Sequence, residues 1–273
     1  MRPILHEHTP VVALHSSASC GGQWKELVSA LEQRYQIYTP DLPGYGPEVA
    51  PANEVGIMGD ARGIIQLIQG LDEPVHLIGH SYGGAVALKV ATMIPSLVKS
   101  LTLFEPVMVS LLKDRGIRET ESFNHFQYLA SELAGAINTG KPEQGMAAFI
   151  DFWNGEGFWS TLPEKHKTHF IKLATSVFAN FEKAFNETLT VQDLEYLHIP
   201  TLLMSGMESP AVTQSICELL SRSIPQSRYA MLPGLGHMAP VTAAEWVNPR
   251  IEHHLAEIEY QQATGVRELR WAA

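Results

Sequence analysis

Short apolar runs alternate with longer stripes of helical period along the first hundred residues, and again after residue 196. Val11–Leu14, Gln36–Thr39, Val75–Ile78 and Ser100–Phe104 are brief, apolar and bounded by turn residues, so they read as buried strands. Between them Trp24, Leu27, Val28 and Leu31 recur at helical spacing. So do Ile57, Ala61, Ile64, Ile65 and Ile68, on a helix that Gly70 ends, and Gly83–Ile94 is an apolar run long enough for another. Thr201–Ser205 and Arg228–Leu232 supply a fifth and a sixth strand, with Ile216, Leu219 and Leu220 on the helix between them. A terminal helix is expected from Thr242, where Thr242 and Glu245 form a T-x-x-E capping box. Pro249 should kink or restart that helix, with Asn248 capping its second part, and the tail after Tyr260 has no clear packing face. The alternation predicts an α/β fold: about six mostly parallel strands with helices on both faces. Reactive groups gather at the carboxyl ends of such strands, where Ser17, Ser81 and Glu105 fall.

The rhythm breaks between residues 111 and 195. No strand-like run appears there, and helical stripes take over: Phe126, Leu129, Ala130, Leu133 and Ile137, then Met146, Phe149, Ile150 and Trp153. Nine of the ten phenylalanines lie in this stretch, which suggests an all-helical cap over an apolar pocket. Most of these rings are expected to be core, with only a few facing a ligand. The division expected is a core of residues 1–110 and 196–273 and a cap of residues 111–195.

Composition narrows the partners. A net charge of −10 argues against nucleic acid and anionic membranes. No apolar run approaches membrane-spanning length, and the polar start MRPILHEHTP does not read as a signal peptide. Two distant cysteines, Cys20 and Cys217, are expected as free thiols in a reducing, cytoplasmic compartment. The twelve histidines show no metal-ligand spacing, and His6, His8, His253 and His254 are expected at the surface. No internal repeat or low-complexity tract is present.

The chemistry concentrates in VHLIGHSYGGAVAL, residues 75–88. Gly79-His80-Ser81-Tyr82-Gly83 is a G-x-S-x-G motif set between an apolar strand and an apolar helix. Exposing a hydroxyl at a sheet's tip requires the chain to reverse within a few residues, which strains the serine's backbone. Strand and helix pass so closely that the neighbours must lack side chains, hence Gly79, Gly83 and Gly84. The first amides of the following helix point at the site, where a developing oxyanion would be stabilised.

Together with DLPGYG after the second strand, IPTLLMSG opening the fifth and LPGLGHMAP near the end, this motif resembles the α/β-hydrolase superfamily with a helical cap, across nearly the whole chain. A serine at the motif's centre is similar to the esterase, lipase, C–C hydrolase and haloperoxidase-like branches, and unlike those with an aspartate nucleophile. The resemblance implies Ser81 as nucleophile and His237 as base. An imidazole with an ordinary pKa near ~6.5 is a natural proton acceptor at neutral pH. The acid departs from the pattern, because Ser209 stands where the family usually has aspartate after the fifth strand. Glu208, one residue earlier, and Glu105, at the end of the fourth strand, are the two candidates. Glu105 is preferred: neighbouring strands lie roughly 4.8 Å apart, which sets its carboxylate near the serine's strand end. The oxyanion hole implied is the backbone amide of Tyr82 with that of Ser17, although His15-Ser16 replaces the family's usual His-Gly. Asp41 and Gly44 match a loop of structural role. Too few residues precede Val11 for the family's usual opening hairpin, and the first strand is expected between the second and third.

The implied function is a serine hydrolase acting on an ester, thioester, amide or activated C–C bond of a small, largely apolar carbonyl substrate through an acyl-enzyme, with no metal or organic cofactor. The alternatives are a haloperoxidase-like perhydrolase or an acyltransferase using the same triad, and a hydrolase-fold receptor with little turnover.

Overall fold

The computed structural model describes residues 8–46, 56–113 and 115–265. Six strands, β1 (Thr9–Leu14), β2 (Tyr35–Tyr38), β3 (Val75–His80), β4 (Val98–Phe104), β5 (Thr201–Gly206) and β6 (Ser227–Leu232), form one sheet in the order β2-β1-β3-β4-β5-β6. Every pairing is parallel. All residues of β3 and β5 are buried, as a sheet covered on both faces requires.

Alternation along each strand divides the core in two. Val11, Ala13, Ile78, Phe104, Leu202 and Met204 face a layer containing helices α1 (Lys25–Leu31) and α12 (Ala244–Thr264). Val12, Leu14, Leu77, Leu101 and Leu203 face the other layer. Helices α2 (Met58–Gln69), α3 (Tyr82–Met93) and α10 (Ala211–Ser223) lie there. Between β4 and β5 come α4 (Ile117–Asn138), α5 (Pro142–Asn154), α6 (Phe158–Thr161), α7 (Glu164–Lys172) and α8 (Ala174–Phe185), the helical insert, followed by the short α9 (Val191–Glu195). The stripes of α4 and α5 interlock. Leu133 and Met146 are fully buried, and the close approach is fixed by Gly145, where a Cβ would stand 2.9 Å from the Leu133 Cα.

Three expectations for the carboxyl-terminal region are corrected. Thr242 does not cap a helix: it ends the short α11 (Ala239–Thr242), its hydroxyl donating back to the Met238 carbonyl, and Ala243 precedes α12. The reciprocal capping box is instead at Thr190 and Asp193, on α9. Nor does Pro249 restart the helix, so Asn248 sits within α12 and not at a cap. A proline inside a helix costs about 3 kcal/mol. The buried stripe Val247, Ile251, Leu255 and Ile258 outweighs this, at ~1.5–3 kcal/mol for each side chain. His254 lies on that same stripe and is only 2% exposed, whereas His253 is at the surface. His8 is exposed, and His6 lies outside the described residues. Cys20 and Cys217 are free thiols, the first exposed and the second buried.

Candidate active site

The turn after β3 adopts the strained geometry that its glycines permit. Ser81 has φ 56° and ψ −121°, a left-handed conformation costing roughly 1–3 kcal/mol for a residue with a side chain. A Cβ on Gly79 would stand 2.5 Å from the Gly83 carbonyl oxygen, and one on Gly83 would stand 2.3 Å from that of His15. Only glycine lets β3, α3 and the loop after β1 meet this closely.

The next strand's end is built into the same turn. The Ser81 amide donates to the Phe104 carbonyl (3.0 Å), and the Val107 amide donates to the Ser81 carbonyl (3.1 Å). Glu105 is also left-handed, with φ 47°, and Pro106 follows it. Its fully buried carboxylate accepts the Gly206 amide on Oε1 (2.7 Å) and bonds His237 Nδ1 through Oε2 (2.5 Å). His237 Nε2 in turn lies 2.9 Å from the Ser81 hydroxyl. With Nδ1–H donated to Glu105, Nε2 is left to accept the serine's proton. The structure therefore brings Ser81, His237 and Glu105 into one hydrogen-bonded chain. Glu208 is exposed, and its backbone amide bonds the Leu235 carbonyl. Ser209, at the family's usual acid position, is buried.

The loop after β1 turns without the expected glycine. Ser16 has no positive φ, and Ala18 (φ 57°) takes the left-handed turn instead. His15 braces the loop by donating Nδ1–H to the Ser16 carbonyl (2.7 Å) and accepting the Leu42 amide on Nε2 (2.9 Å). Burial lowers the His15 pKa, which keeps this neutral, two-way role available. Asp41 supports the segment by accepting the Gly21 amide (2.7 Å), and Gly44 turns at φ 89°. Ser17 and Tyr82, the two residues expected to offer amides, line one cavity with Ser81 and His237.

A second buried chain reaches His237 from behind. Gln23 Oε1 accepts both the amide and the hydroxyl of Ser16, its Nε2 bonds His80 Nδ1 (3.0 Å), and His80 Nε2 bonds the His237 carbonyl (2.9 Å). Burial, reinforced by the nearby His237, holds the His80 pKa well below the usual 6.5. A neutral His80 that accepts from Gln23 and donates to His237 satisfies every bond in the chain.

The cavity, about 310 Å³, is roofed by the insert. Five of the insert's phenylalanines line it, Phe126, Phe149, Phe158, Phe170 and Phe181, more than the few expected to face a ligand. Phe126, Phe149 and Phe181 serve twice, since they also belong to the buried core. Trp153 meets the chemistry directly. Its indole stacks on the His237 ring with centroids 3.9 Å apart and planes 24° from parallel. The sequence puts Trp153 on a helical stripe and carries no signal for its partner. Gln23, Asn180 and Lys183 escape a reading of the sequence too: apart from the bonds of Gln23 to nearby Ser16, their contacts reach far along the chain, to His80, Ser17, Tyr45 and Asp60. His80 stands in view inside the glycine motif, but its neighbours in the sequence do not reveal its bonds.

A serine hydroxyl, an imidazole and a carboxylate in hydrogen-bonded sequence, at the ends of parallel strands and beneath a helical insert, define a hydrolase-type site. The chain belongs to the alpha/beta hydrolase fold family, whose model matches residues 9–244, and is an α/β-hydrolase enzyme. Monoacylglycerol lipase ABHD6 of Rattus norvegicus is 25% identical over 249 residues, 84% of this chain and 70% of that protein. A putative lipase from Acinetobacter baumannii superposes with a TM-score of 0.74 at 20% identity, over 94% of this chain and 86% of that one. A meta-cleavage product hydrolase from Pseudomonas fluorescens superposes with a TM-score of 0.67 at 17% identity, covering 92% of each chain. At these identities the two structures speak for the fold.

Proposed function

We propose that the protein is a serine hydrolase that cleaves an ester, thioester, amide or activated C–C bond of a small, largely apolar carbonyl substrate. With an ester, Ser81 Oγ attacks the carbonyl carbon while its proton passes to His237 Nε2, and Glu105 holds the imidazole's orientation and stabilises its cation. The carbonyl oxygen becomes an oxyanion held by the amides of Tyr82 and Ser17. Collapse breaks the bond to the alcohol, which leaves with the proton from His237. Water then attacks the acyl-Ser81, giving its proton to His237, and the acid is released as the serine recovers its hydrogen.

The observation that carries this reading is the unbroken chain Glu105–His237–Ser81 opening into an aromatic cavity. The first α3 amides lack intrahelical partners, which supports Tyr82 as a donor. The lipase and C–C hydrolase names among similar proteins support the range of bonds proposed. A series of p-nitrophenyl esters of increasing acyl length tests it. Hydrolysis should favour acyl groups that a cavity of about 310 Å³ accommodates and should vanish in Ser81→Ala. Hydrolysis at the wild-type rate by Ser81→Ala would remove the mechanism.

A further inference from the structure

We propose that one helix of the insert, α8, sets the position of both oxyanion amides through Asn180 and Lys183, which act as positioning residues. The inference rests on the reading of Tyr82 and Ser17 as oxyanion donors. Asn180 and Lys183 lie three residues apart, so they project from the same face of α8. Asn180 bonds one of the two donor residues directly, and Lys183 reaches the other through Asp60. The Asn180 Oδ1 accepts the Ser17 hydroxyl at 2.8 Å, and the same oxygen accepts the Tyr45 hydroxyl. The Lys183 ammonium donates to Asp60 Oδ1 (2.5 Å), and the other carboxylate oxygen accepts the Tyr82 hydroxyl (2.6 Å). Ser17 and Tyr82 follow neighbouring strands, β1 and β3, and their amides must converge on one oxygen atom.

The energetics argue for more than an anchor. Asp60 is fully buried and the Lys183 side chain only 11% exposed, and a buried ion pair often contributes less than well-packed apolar side chains would. Aromatic packing already seats α8, with Phe181 against Phe126 at 4.8 Å between centroids. What the polar groups add is direction, since a charge-assisted hydrogen bond fixes its partner's position more narrowly than apolar contact does. Burial, and then the Asp60 charge, push the Tyr82 hydroxyl's pKa well above 10, so it remains a donor and the tether stays intact across the working pH range. The seat of α8 thus fixes both halves of the oxyanion site together.

The test compares Asn180→Leu, Asn180→Asp and the double variant Asp60→Asn/Lys183→Met, which removes both charges without stranding one and keeps an acceptor for Tyr82. Steady-state hydrolysis of p-nitrophenyl butyrate is measured below each variant's melting temperature, alongside binding of the trifluoromethyl ketone bearing the same acyl group. Misplacing a donor should lower kcat by about 10- to 100-fold for Asn180→Leu and for the double variant. KM should hold within about threefold, ketone affinity should fall in step with kcat, and Asn180→Asp, which keeps the acceptor, should recover most of the rate. A kcat within about twofold of wild type with only a lowered melting temperature would overturn the proposal, as would an effect carried wholly by KM. Should one variant fail to fold, the other still decides. Ser81→Ala run in parallel separates the failures: full activity there refutes the reading of the site itself, whereas an inactive Ser81→Ala beside unimpaired tether variants refutes only the role of α8.

Discussion

The two walls of the cavity are built by different means. The sheet wall is held by backbone. Ser81 and Glu105 are both left-handed, amides and carbonyls bond their turns directly, and glycines allow carbonyl oxygens to approach where any Cβ would collide. The insert wall is held mostly by side chains, a nest of rings in which Phe126 touches Phe152, Trp153, Phe181 and Phe185. Its polar ties to the sheet wall are few and specific. Besides Asn180 and Lys183, Ser176 donates to the Gly44 carbonyl (2.9 Å). Glu187, just past α8, gathers the Lys89 ammonium and the Ile57 amide. Burial alone would raise the Glu187 pKa, but those bonds outweigh it and hold the carboxyl below its usual range. The contrast teaches a division of labour. Chemistry needs atoms placed to a fraction of an ångström, which backbone hydrogen bonds supply. Selectivity needs a surface that can be repacked, which rings supply.

The largest effect should come from the sheet wall. Ser81→Ala is expected to lower kcat on an activated ester by roughly 10⁴-fold or more, with far-UV circular dichroism unchanged, because the alanine relieves no contact of the fold. Glu105→Gln comes next, at about 10²- to 10⁴-fold, since the single amide oxygen cannot accept both the Gly206 amide and the His237 Nδ1–H, and it carries no charge to balance the imidazolium. Glu208→Gln, exposed on the neighbouring turn, should stay within about twofold, and the reverse ranking of these two glutamates would break the comparison.

On the insert wall, Trp153→Leu keeps an apolar side chain but removes the ring stacked on His237. It should lower kcat/KM by about tenfold and shift the preferred acyl length, measured on the same ester series. A uniform loss across all lengths would mean that the indole acts on the imidazole alone. Phe149→Leu, at a ring that lines the cavity and packs on Trp153 and Phe181, should alter selectivity more than rate.

Much of this arrangement is legible in the order of the amino acids alone. The strands are readable because parallel strands buried on both faces carry short, largely apolar runs, as Val11–Leu14 does. The serine's turn is readable because Gly79, Gly83 and Gly84 answer to backbone collisions, and such requirements leave a local signature. Glu105 can be favoured over Glu208 by an argument from strand neighbours, without any side-chain geometry. The start of α12 is misleading because T-x-x-E marks a cap only if the hydroxyl turns forward, and that of Thr242 turns back to Met238. His254 misleads because adjacent histidines look alike in sequence, while helical period sends only one toward Ile251 and Leu255. Trp153 on His237 and Lys183 on Asp60 leave no signal, since each contact joins the insert to a distant part of the chain.

A separate effect, on stability and not on rate, concerns the layer of α1 and α12. Burial, with His76 and Arg228 adding to it, lowers the His254 pKa to about 4. The unfolded imidazole, near 6.5, therefore binds more protons than the folded one between those values. Stability should be fully present above pH 6.5 and fall as pH drops toward 4, by about 3 kcal/mol from this residue at 1.36 kcal/mol per unit. Denaturant melts at pH 7 and pH 4.5 should show a shallower loss in His254→Leu than in wild type. An identical pH dependence would relieve His254 of that role.

In the proposed mechanism Ser81 is made reactive by His237 held on Glu105. Treatment with a fluorophosphonate, followed by digestion and mass spectrometry, tests it directly. A single phosphonylated peptide bearing the adduct on Ser81 is expected, formed rapidly in wild type, far more slowly in Glu105→Gln, and at the wild-type rate in Glu208→Gln. An adduct on another serine, no adduct at all, or equal rates in wild type and Glu105→Gln would contradict it.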